Sequence, residues 1–414
     1  MTPDIKHRIE QIRRGEVLEG YQYTRYGIYP IGWTVKKVGD CIEEYRELSN
    51  DIQSFPVYSS SRKGLMPQSE YYDQKRAEET NLGYKIVPNG YVTYRHMSDD
   101  DVFHFNINQT GGNILVSSEY PVFTSANGVA LGFLIPALND ATRFRYFCRT
   151  QKLGGTRTRL YLKNLSQYHL GVPCFEEQQK IAVILTTQGK VIELKEKRLA
   201  EKQQQKKYLM QQLLTGRKRL PGFSGEWKKI KLKNILHERK AYSPKGLDYP
   251  HVTLSTEGIF PKSERYDRDH LVRDEDKEYK ITHKGDICYN PANLKFGAIC
   301  ENTFGDAIFS PIYVTFEVRK NVSREYLANY LIRWDFINAV RKYEEGTVYE
   351  RMAVKPEDFL KFEIFLPQIE EQTAIAEVLS TSNREIELLQ QDIAQEKQKK
   401  KALMQLLLTG IVRV

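Results

Sequence analysis

The sequence predicts an α+β protein in which two similar globular domains are separated by two long antiparallel helices, as the result of an internal duplication. A block of residues recurs at a fixed distance, for example at Pro173 and Pro367 (367 − 173 = 194). Each copy of the block has the composition of one long helix. The segment before each copy mixes short strand-like runs with helix-like patterns. We therefore expect a fused pseudo-dimer.

The first segment, residues 1–172, is expected to form one α+β domain. Strand-like runs such as residues 91–94 are separated by turn residues. The longest apolar stretch, residues 128–138, is too short to span a bilayer. We expect this stretch to be part of the buried core.

Residues 173–216 are expected to form the first long helix, called here the central helix. Between positions 176 and 214 there is no Pro, the only Gly is Gly189, and good helix formers dominate. Two acidic residues follow Pro173 and complement the helix dipole. Thr215 and Gly216 provide the stop signal.

The second domain, residues 217–366, and the second long helix, residues 367–414 and called the distal helix, repeat this order. Outside the helices the same offset relates further pairs of identical residues, among them Trp33 and Trp227, Ser61 and Ser255, Gly64 and Gly258, Pro67 and Pro261, and Tyr72 and Tyr266. Between these pairs the two halves differ freely. One duplicated scaffold therefore carries two diverged surfaces.

Topology predicts that the two helices pair. A helix of about 39 residues would be roughly 58 Å long, so much of it must find a partner outside a small domain. The central helix joins the two domains, and the distal helix starts where the second domain ends, so we expect it to run back along the central helix. Its apolar residues follow heptad spacing. Polar residues interrupt the seam: Gln188, Lys195, Lys202 and Lys206 in one helix, and Ser382, Glu396 and Lys400 in the other. The alternative is two independent surface helices on two globular cores.

Composition favours a water-soluble protein with a polyanionic partner. The 414 residues carry a net charge of +9, with a pI near 9.0. A solvated, Lys-rich helix surface would give the same bias. Five cysteines without metal-ligand spacing argue against a disulfide framework or a zinc site. No apolar signal core follows Met1, so we expect a cytoplasmic protein that does not enter a membrane.

Polar and aromatic residues in loops that differ between the two halves are the candidates for DNA contact. Arg pairs bidentately with guanine and Asn with adenine, while Lys, Ser and Thr bind phosphates. Arg62 and Lys63 correspond to Thr256 and Glu257, as two readers of different base sequences would need. For each residue the alternative is a solvated surface role. The candidates are Ser61, Arg62, Lys63, Tyr94, Arg95, His96, Arg157, Arg159, Ser255, Lys262, Tyr289, Asn290, Lys295, Tyr349 and Arg351.

Motifs of catalytic and cofactor-binding sites are missing from the sequence. There is no phosphate-binding Gly-rich loop, nucleophile elbow or His-Glu-x-x-His pair. The run Asn290-Pro291-Ala292-Asn293 is similar to the Asn-Pro-Pro-aromatic motif of amino-methyltransferases, but it lacks the second Pro and the aromatic residue. We interpret it as a turn. We expect no enzyme activity, no cofactor and no bound metal.

The duplicated pattern resembles the specificity subunits of Type I restriction–modification systems. The resemblance rests on the run from Leu213 to Trp227, the Pro-x-x-Glu-Glu-Gln helix openings and the Gly-Thr elements at Gly155 and Gly346. It covers essentially the whole chain. It implies two target-recognition domains that each read half of a split site in double-stranded DNA. It also implies two methyltransferase subunits docked on the helices, and restriction motor subunits that join through the complex.

Two alternatives remain open from the sequence. One is a coiled-coil scaffold with two ligand-binding lobes and no role with DNA. The other is a degenerate enzyme built around Asn290. Salt-dependent binding to duplex DNA distinguishes the recognition subunit from the scaffold. Adenine methylation by the isolated chain would support the enzyme.

Overall fold

The computed structural model describes residues 3–68, 83–140, 142–152, 156–244, 248–262, 278–343 and 353–414. Contacts divide the chain into two units. Unit 1 consists of Met1–Glu196 and Asp392–Val414, and unit 2 of Lys197–Gln391. Each unit thus contains one globular part together with the beginning of one long helix and the end of the other. The four-part division expected from the sequence stays a prediction, since compactness alone does not separate the helices from the domains.

Both long helices form over 39 residues. The central helix is Phe175–Leu213 and the distal helix is Ile369–Leu407, so their bounds differ by the 194 positions of the repeat. Gly216 and Gly410 follow their ends with φ of 70° and 72°, in the left-handed region that favours glycine. The shorter helices are α1 Pro3–Arg13, α2 Leu131–Asp140, α3 Thr142–Thr150, α4 Leu162–Leu165, α5 Arg324–Leu331, α6 Trp334–Val340 and α7 Pro356–Lys361.

The globular part of unit 1 is built from short antiparallel strands. They are β1 Tyr21–Thr24, β2 Gly27–Pro30, β3 Thr34–Lys37, β4 Ile42–Glu44, β5 Leu48–Ser49, β6 Tyr58–Ser61, β7 Gly64–Pro67, β8 Tyr84–Val87, β9 Val92–Tyr94, β10 Met97–Ser98, β11 Phe105–Ile107, β12 Ile114–Ser117, β13 Val122–Ser125, β14 Thr158–Arg159 and β15 His169–Val172. A four-stranded sheet has the order β11-β9-β13-β4, and a three-stranded sheet has the order β12-β8-β5. Pairs β1-β2, β3-β15, β6-β7 and β10-β14 complete the unit.

Unit 2 repeats the two larger sheets and two of the strand pairs. Its strands are β16 Lys228–Lys231, β17 Leu236–Glu238, β18 Tyr242–Pro244, β19 Val252–Ser255, β20 Gly258–Pro261, β21 Glu278–Thr282, β22 Ile287–Tyr289, β23 Ile299–Glu301, β24 Ala307–Phe309, β25 Val314–Val318 and β26 Glu363–Leu366. The sheets β17-β25-β22-β23 and β18-β21-β24 correspond to the two larger sheets of unit 1. The pairs β16-β26 and β19-β20 correspond to β3-β15 and β6-β7. The predicted duplication is therefore present in the strand pairing.

The hydrophobic core of each unit includes both helices. In unit 1, Ile181 and Leu185 of the central helix pack in one cluster with Leu407 of the distal helix. The equivalent cluster of unit 2 combines Ile375 and Leu379 with Leu213. The apolar stretch 128–138 lies mostly in α2, where Phe133, Leu134 and Leu138 are buried, as predicted. Among the described residues, none of the helices combines the length and the apolar composition of a membrane-spanning segment.

Candidate nucleic-acid interface

The hairpin β6-β7 presents Arg62 and Lys63 at its tip. Ser61 pairs with Gly64, so the two basic residues are the central residues of a two-residue turn. The Ser61 hydroxyl accepts a hydrogen bond from the Lys63 N–H at 3.1 Å and donates one to the Gly64 carbonyl at 2.9 Å. Gly64 has a φ of 113°, a conformation that side chains disfavour. Ser61 and Gly64 thus fix the turn that exposes Arg62 and Lys63.

The hairpin β19-β20 of unit 2 has the same register, with Ser255 paired to Gly258. Gly258 has a φ of 124°, and the Ser255 hydroxyl accepts from the Glu257 N–H at 3.1 Å. Ser255 is 9% exposed, so its hydroxyl fixes the turn and is not available as a DNA contact. The tip of this hairpin carries Thr256 and Glu257. The two units therefore share one hairpin geometry with different tip chemistry.

In unit 1 the hairpin tip borders a polar cleft of about 440 Å³, called here the Arg62 cleft. Arg95 and a segment from Met97 to His104 form its other side. Three of the twelve lining residues are basic, and Ser60, Ser61 and Ser98 add hydroxyl groups. Arginine and lysine beside hydroxyl groups are the side chains that contact phosphates and base edges.

Arg157 and Arg159 lie beside the same cleft. Strand β14 pairs with β10, and Arg159 is opposite Met97, a cleft residue. The Arg157 Nε donates to the Asp99 carboxylate at 2.8 Å. Both arginines are exposed. The structure thus brings Arg62, Lys63, Arg95, Arg157 and Arg159 to one region of unit 1, and their contact with DNA stays a prediction.

Two tyrosine predictions are corrected by the structure. Tyr94 and Tyr289 have 0% exposure, because they lie on the inner strands β9 and β22 with their rings in the core. The Tyr94 hydroxyl donates to the Leu160 carbonyl at 2.9 Å, and the Tyr289 hydroxyl to the Val354 carbonyl at 3.0 Å. Burial raises the pKa of both phenols. They are structural residues of equivalent strands.

His96 and Asn290 are also poorly placed for DNA contact. His96 is 2% exposed and its ring stacks on Tyr161 at a centroid distance of 5.3 Å. Burial lowers the pKa of His96, which favours the neutral ring over a cation that would bind phosphate. Asn290 is 6% exposed, and its Oδ1 accepts from the Ala292 N–H at 3.1 Å. This side chain closes a turn, which agrees with the turn interpretation of its motif.

In unit 2 the remaining candidates for DNA contact are Lys262, Lys295, Tyr349 and Arg351. Lys262 and Lys295 are partly exposed, and the Lys295 ammonium lies 5.3 Å from the ring centroid of Phe296. Phe296 is 66% exposed, and the pairing of this aromatic residue with Lys295 follows the aromatic-beside-basic pattern of the sequence, although only Lys295 was a candidate for DNA contact. Tyr349 and Arg351 lie outside the described residues. An exposed aromatic ring beside a cation is a usual stacking surface for the unpaired bases of single-stranded nucleic acid.

Three consecutive acidic residues were missed by the sequence reasoning. The Asp99 carboxylate accepts from Arg157, that of Asp100 from Arg62 and Ser98, and that of Asp101 from Thr158. Asp101 has a φ of 62°, which is uncommon for a residue with a side chain. An acidic triplet next to a basic cluster is the sequence signal that could have identified them.

The polar residues of the helix seam form interhelical contacts within each unit. In unit 1 the Lys195 Nζ lies 2.8 Å from Asp392 and 2.9 Å from Glu396, and Gln188 donates to Glu396 at 2.5 Å. In unit 2 Lys202 pairs with Glu385 at 2.7 Å. In unit 1, Gln188 pairs with Glu396, whereas Lys195, further along the central helix, pairs with Asp392, which comes earlier in the distal helix. The helices are therefore antiparallel there, as predicted.

A buried polar cluster marks the start of each long helix. In unit 2, Glu371 is 2% exposed and accepts from Arg219 at 2.5 and 2.6 Å and from the Trp227 indole at 3.2 Å. In unit 1, Glu177 is 3% exposed and accepts from Arg413 at 2.5 and 2.7 Å and from Trp33 at 3.3 Å. The arginines are 194 positions apart, a match that the sequence reasoning had not used. These residues dock each helix on its domain.

The glutamine of the same motif completes the docking. The Gln178 amide donates to the Pro173 carbonyl at 3.0 Å, and its oxygen accepts from the Ala130 N–H at 2.8 Å. Gln372 donates to the Pro367 carbonyl at 2.9 Å and accepts from the Ser323 N–H at 3.0 Å. The Pro-x-x-Glu-Glu-Gln repeat therefore has a structural role at each junction of helix and domain.

Comparisons with known proteins agree with this duplicated architecture. A type I restriction enzyme specificity subunit of Methanocaldococcus jannaschii is 22% identical over 442 aligned residues, which cover 96% of this chain and 97% of that protein. The S subunit of the type I restriction–modification system from M. genitalium has a TM-score of 0.55 at 9% identity, over 91% of this chain and 96% of that one. A chain from a structure on complex assembly and conformational transition of the type I R-M system has the same TM-score at 14% identity, over 93% and 99%. The two structural likenesses confirm the predicted fold.

The family model gives the assignment. The model described as the type I restriction modification DNA specificity domain matches residues 56–203 and 225–397. The two matches cover well over half of the chain, and one lies in each half of the repeat. The chain belongs to the type I restriction modification DNA specificity family, as the resemblance of its repeated motifs predicted.

Proposed function

We propose that this chain reads a bipartite target in double-stranded DNA, with one half-site for each of its two domains. Its family supports the DNA-recognition role, and chains of this family are not themselves catalytic. The observation that carries the proposal is the pair of hairpins with one geometry and different tips, Arg62-Lys63 in β6-β7 and Thr256-Glu257 in β19-β20. Two readers built on one scaffold with different contact residues would recognise different bases.

The contact residues of the proposal are the exposed basic groups around the Arg62 cleft and, in unit 2, Lys262 and Lys295. Arg62 and Arg157 have side-chain exposures of 56% and 52%, so both can reach a duplex without a change in the fold. Planar guanidinium groups suit bidentate contacts with guanine or phosphate. Tyr349 and Arg351 stay in the proposal on their sequence alone.

We further propose that the two long helices set the gap between half-sites and dock two methyltransferase subunits. The docking role is supported by large apolar side chains that the helices expose and that a docked subunit would bury. Val183 and Leu194 are 64% and 66% exposed, and eleven residues place them about three turns apart on one face. Leu388 is the equivalent of Leu194 in the distal helix and is 48% exposed. Restriction motor subunits would join through that complex in the cytoplasm.

Sequencing the methylated bases of a host that expresses the complete system tests the proposal. The expected result is one adenine-methylated motif made of two different half-sites separated by a fixed gap of unread bases. A control strain with the modification subunits alone should carry no such motif. A single continuous motif, or methylation that does not depend on this chain, would contradict the bipartite reading.

A further inference from the structure

We propose that the turn Asp99–Asp101 positions the reading arginines of the first domain and weakens their binding to arbitrary DNA. The inference rests on the proposed function and adds a mechanism that raises the specificity of DNA binding. It assigns to three acidic residues, of which Asp99 lines the Arg62 cleft, a role that acidic residues do not ordinarily have at a DNA surface.

Two carboxylates of the turn pair with two different arginines. Asp100 pairs with Arg62 at the hairpin tip, and Asp99 pairs with Arg157 at 2.8 Å. Two arginines from separate parts of the sequence are therefore oriented by neighbouring carboxylates of one turn. Each arginine is more than half exposed, so its remaining N–H groups are available to a ligand.

The turn itself is well supported. The Ser98 hydroxyl donates to Asp100 at 2.9 Å and accepts from the Val102 N–H at 3.1 Å. The left-handed backbone of Asp101 is stabilised by the hydrogen bond between its carboxylate and the Thr158 hydroxyl. Thr158 belongs to β14, which pairs with β10 immediately before the turn. The carboxylates thus have fixed positions from which to orient flexible arginine side chains.

The charges explain the effect on specificity. Binding to any duplex gains most of its free energy from cations that contact phosphates. Arginines already paired with carboxylates gain less from a phosphate, and the three aspartates repel the DNA backbone. The Arg62 guanidinium lowers the pKa of Asp100, which keeps this carboxylate charged. Base contacts that use the remaining guanidinium N–H groups are affected less, so the ratio of specific to non-specific binding rises.

The second domain has no acidic turn in the segment that corresponds to Asp99–Asp101 of the first domain. The segment between β22 and β23, residues 290–298, corresponds to the segment between β9 and β11 that contains the three aspartates, and it has no acidic residue. It contributes Lys295 and Phe296 instead. The role of the acidic turn should therefore be confined to the half-site that the first domain reads.

The test uses the full chain with Asp99→Asn and Asp100→Asn, singly and combined. Asparagine retains an oxygen that accepts from Ser98, so the turn should keep its hydrogen bond while the charge is removed. Glu44→Gln is the matched control, because Glu44 is paired with Arg46 at 2.6 Å outside the cleft and the variant loses the same charge. Binding is measured from low to high salt on three duplexes. One carries the motif found by methylation sequencing, and each of the others has one half-site scrambled.

We expect the double variant to change non-specific binding and the preference for the motif in opposite directions. The double variant should bind the duplex with a scrambled first half-site more tightly, with a salt slope steeper by about 0.9 for each arginine released to a phosphate. Its preference for the intact first half-site should fall about tenfold, within the range of one bidentate contact. The preference for the second half-site and the melting temperature should not change. Glu44→Gln should leave both preferences intact.

Other outcomes reject the inference in identifiable ways. Equal strengthening on all three duplexes, as in Glu44→Gln, would mean that only net charge matters. Weaker binding to all duplexes with a lower melting temperature would make the turn merely structural. If the unaltered chain does not prefer the intact motif over either scrambled duplex, the proposed function itself fails.

Discussion

Arg62 and Lys63 occupy the same two turn positions as Thr256 and Glu257, and the flanking Ser and Gly are identical. The identical residues make the turn, since the serine hydroxyl accepts from its backbone and the glycine adopts positive φ. The side chains of the tip residues are exposed and take no part in the hydrogen bonds that make the turn. Diversity at the tip is therefore compatible with an unchanged scaffold.

The first prediction concerns Arg62 and Arg157. Alanine at either position should weaken binding to the target motif by about 1–3 kcal/mol if the arginine contacts a base. If it contacts a phosphate, the salt slope should decrease by about 0.9 and the preference for the motif should stay the same. The measurement is affinity on target and scrambled duplexes over a salt series. Arg46→Ala is the control, since Arg46 is 81% exposed and paired with Glu44. Unchanged affinity and salt slope in both variants would remove these arginines from the interface.

The second prediction concerns the buried carboxylates at the helix starts. Glu371→Ala leaves the Arg219 guanidinium and the Trp227 indole without their acceptor, and should destabilise unit 2 by roughly 3 kcal/mol. Glu177→Ala should have a similar effect on unit 1 through Arg413 and Trp33. Denaturant unfolding measures the change. The neighbouring Glu370 is exposed, so Glu370→Ala should have little effect. Equal stability of the Glu370 and Glu371 variants would contradict the role of the cluster.

The sequence predicted the types of side chain at the candidate site better than it predicted whether each side chain faces solvent or the core. Tyr94 lies beside the basic Arg95 and Tyr289 beside the amide of Asn290, as surface readers would, but each tyrosine lies on an inner strand whose alternation turns the ring to the core. Arg62 and Lys63 were identifiable because a Ser-x-x-Gly turn exposes both central residues. The acidic triplet Asp99–Asp101 was visible in the sequence, but its ion pairs were not, because Arg62 and Arg157 are distant from it in the sequence.

The long helices are the elements that the sequence predicts best. Composition, capping residues and the repeat all agree, and the observed bounds fall inside the expected segments 173–216 and 367–414. The polar interruptions of the seam are explained by pairing, as in Lys195 with Asp392 and Lys202 with Glu385. The short strands of the domains were predicted only in part, because strands of three to five residues leave little periodicity to detect.

The third prediction tests the exposed face of the central helix. Val183→Asp combined with Leu194→Asp should abolish or strongly reduce assembly with the methyltransferase subunits, because charges would be buried in an apolar contact. DNA binding by the isolated chain should be unchanged. The measurement is co-purification and size-exclusion chromatography of the co-expressed complex. Ile52→Asp is the control, an exposed apolar residue of a loop in unit 1. Normal assembly of the helix variant would exclude this face as the docking surface.

The fourth prediction is that the length of the two helices sets the number of unread base pairs between the half-sites. Lys195 faces Asp392 in unit 1, and Lys202 faces Glu385 in unit 2, so insertions after Arg198 and after Leu388 fall between these pairs in both helices. Seven added residues in each preserve the heptad and lengthen each helix by about 10 Å. The unread gap should grow by about three base pairs, with both half-sites unchanged. Methylation sequencing measures the gap. An unchanged gap in a folded, active complex would show that the helices do not set it.

The duplication explains how one chain can recognise two different half-sites. Both units use the same strand order, the same helix docking and the same hairpin register. The shared parts form cores and junctions, while the differing parts include the hairpin tip and the segments 95–104 and 290–298. Recognition by one unit should then be independent of recognition by the other.

Exchange of one domain tests this independence most directly. Residues 217–366 are replaced by the corresponding segment of another family member with a known, different motif, and the complete system is expressed for methylation sequencing. The donor segment must contain an arginine and a tryptophan at the positions of Arg219 and Trp227, or these residues are introduced into it. The second domain then retains its contacts with the distal helix. We expect the half-site read by residues 1–172 and the gap to stay as they were, and the other half-site to become that of the donor. A change in both half-sites, or in neither, would contradict the account of one domain for each half of the target.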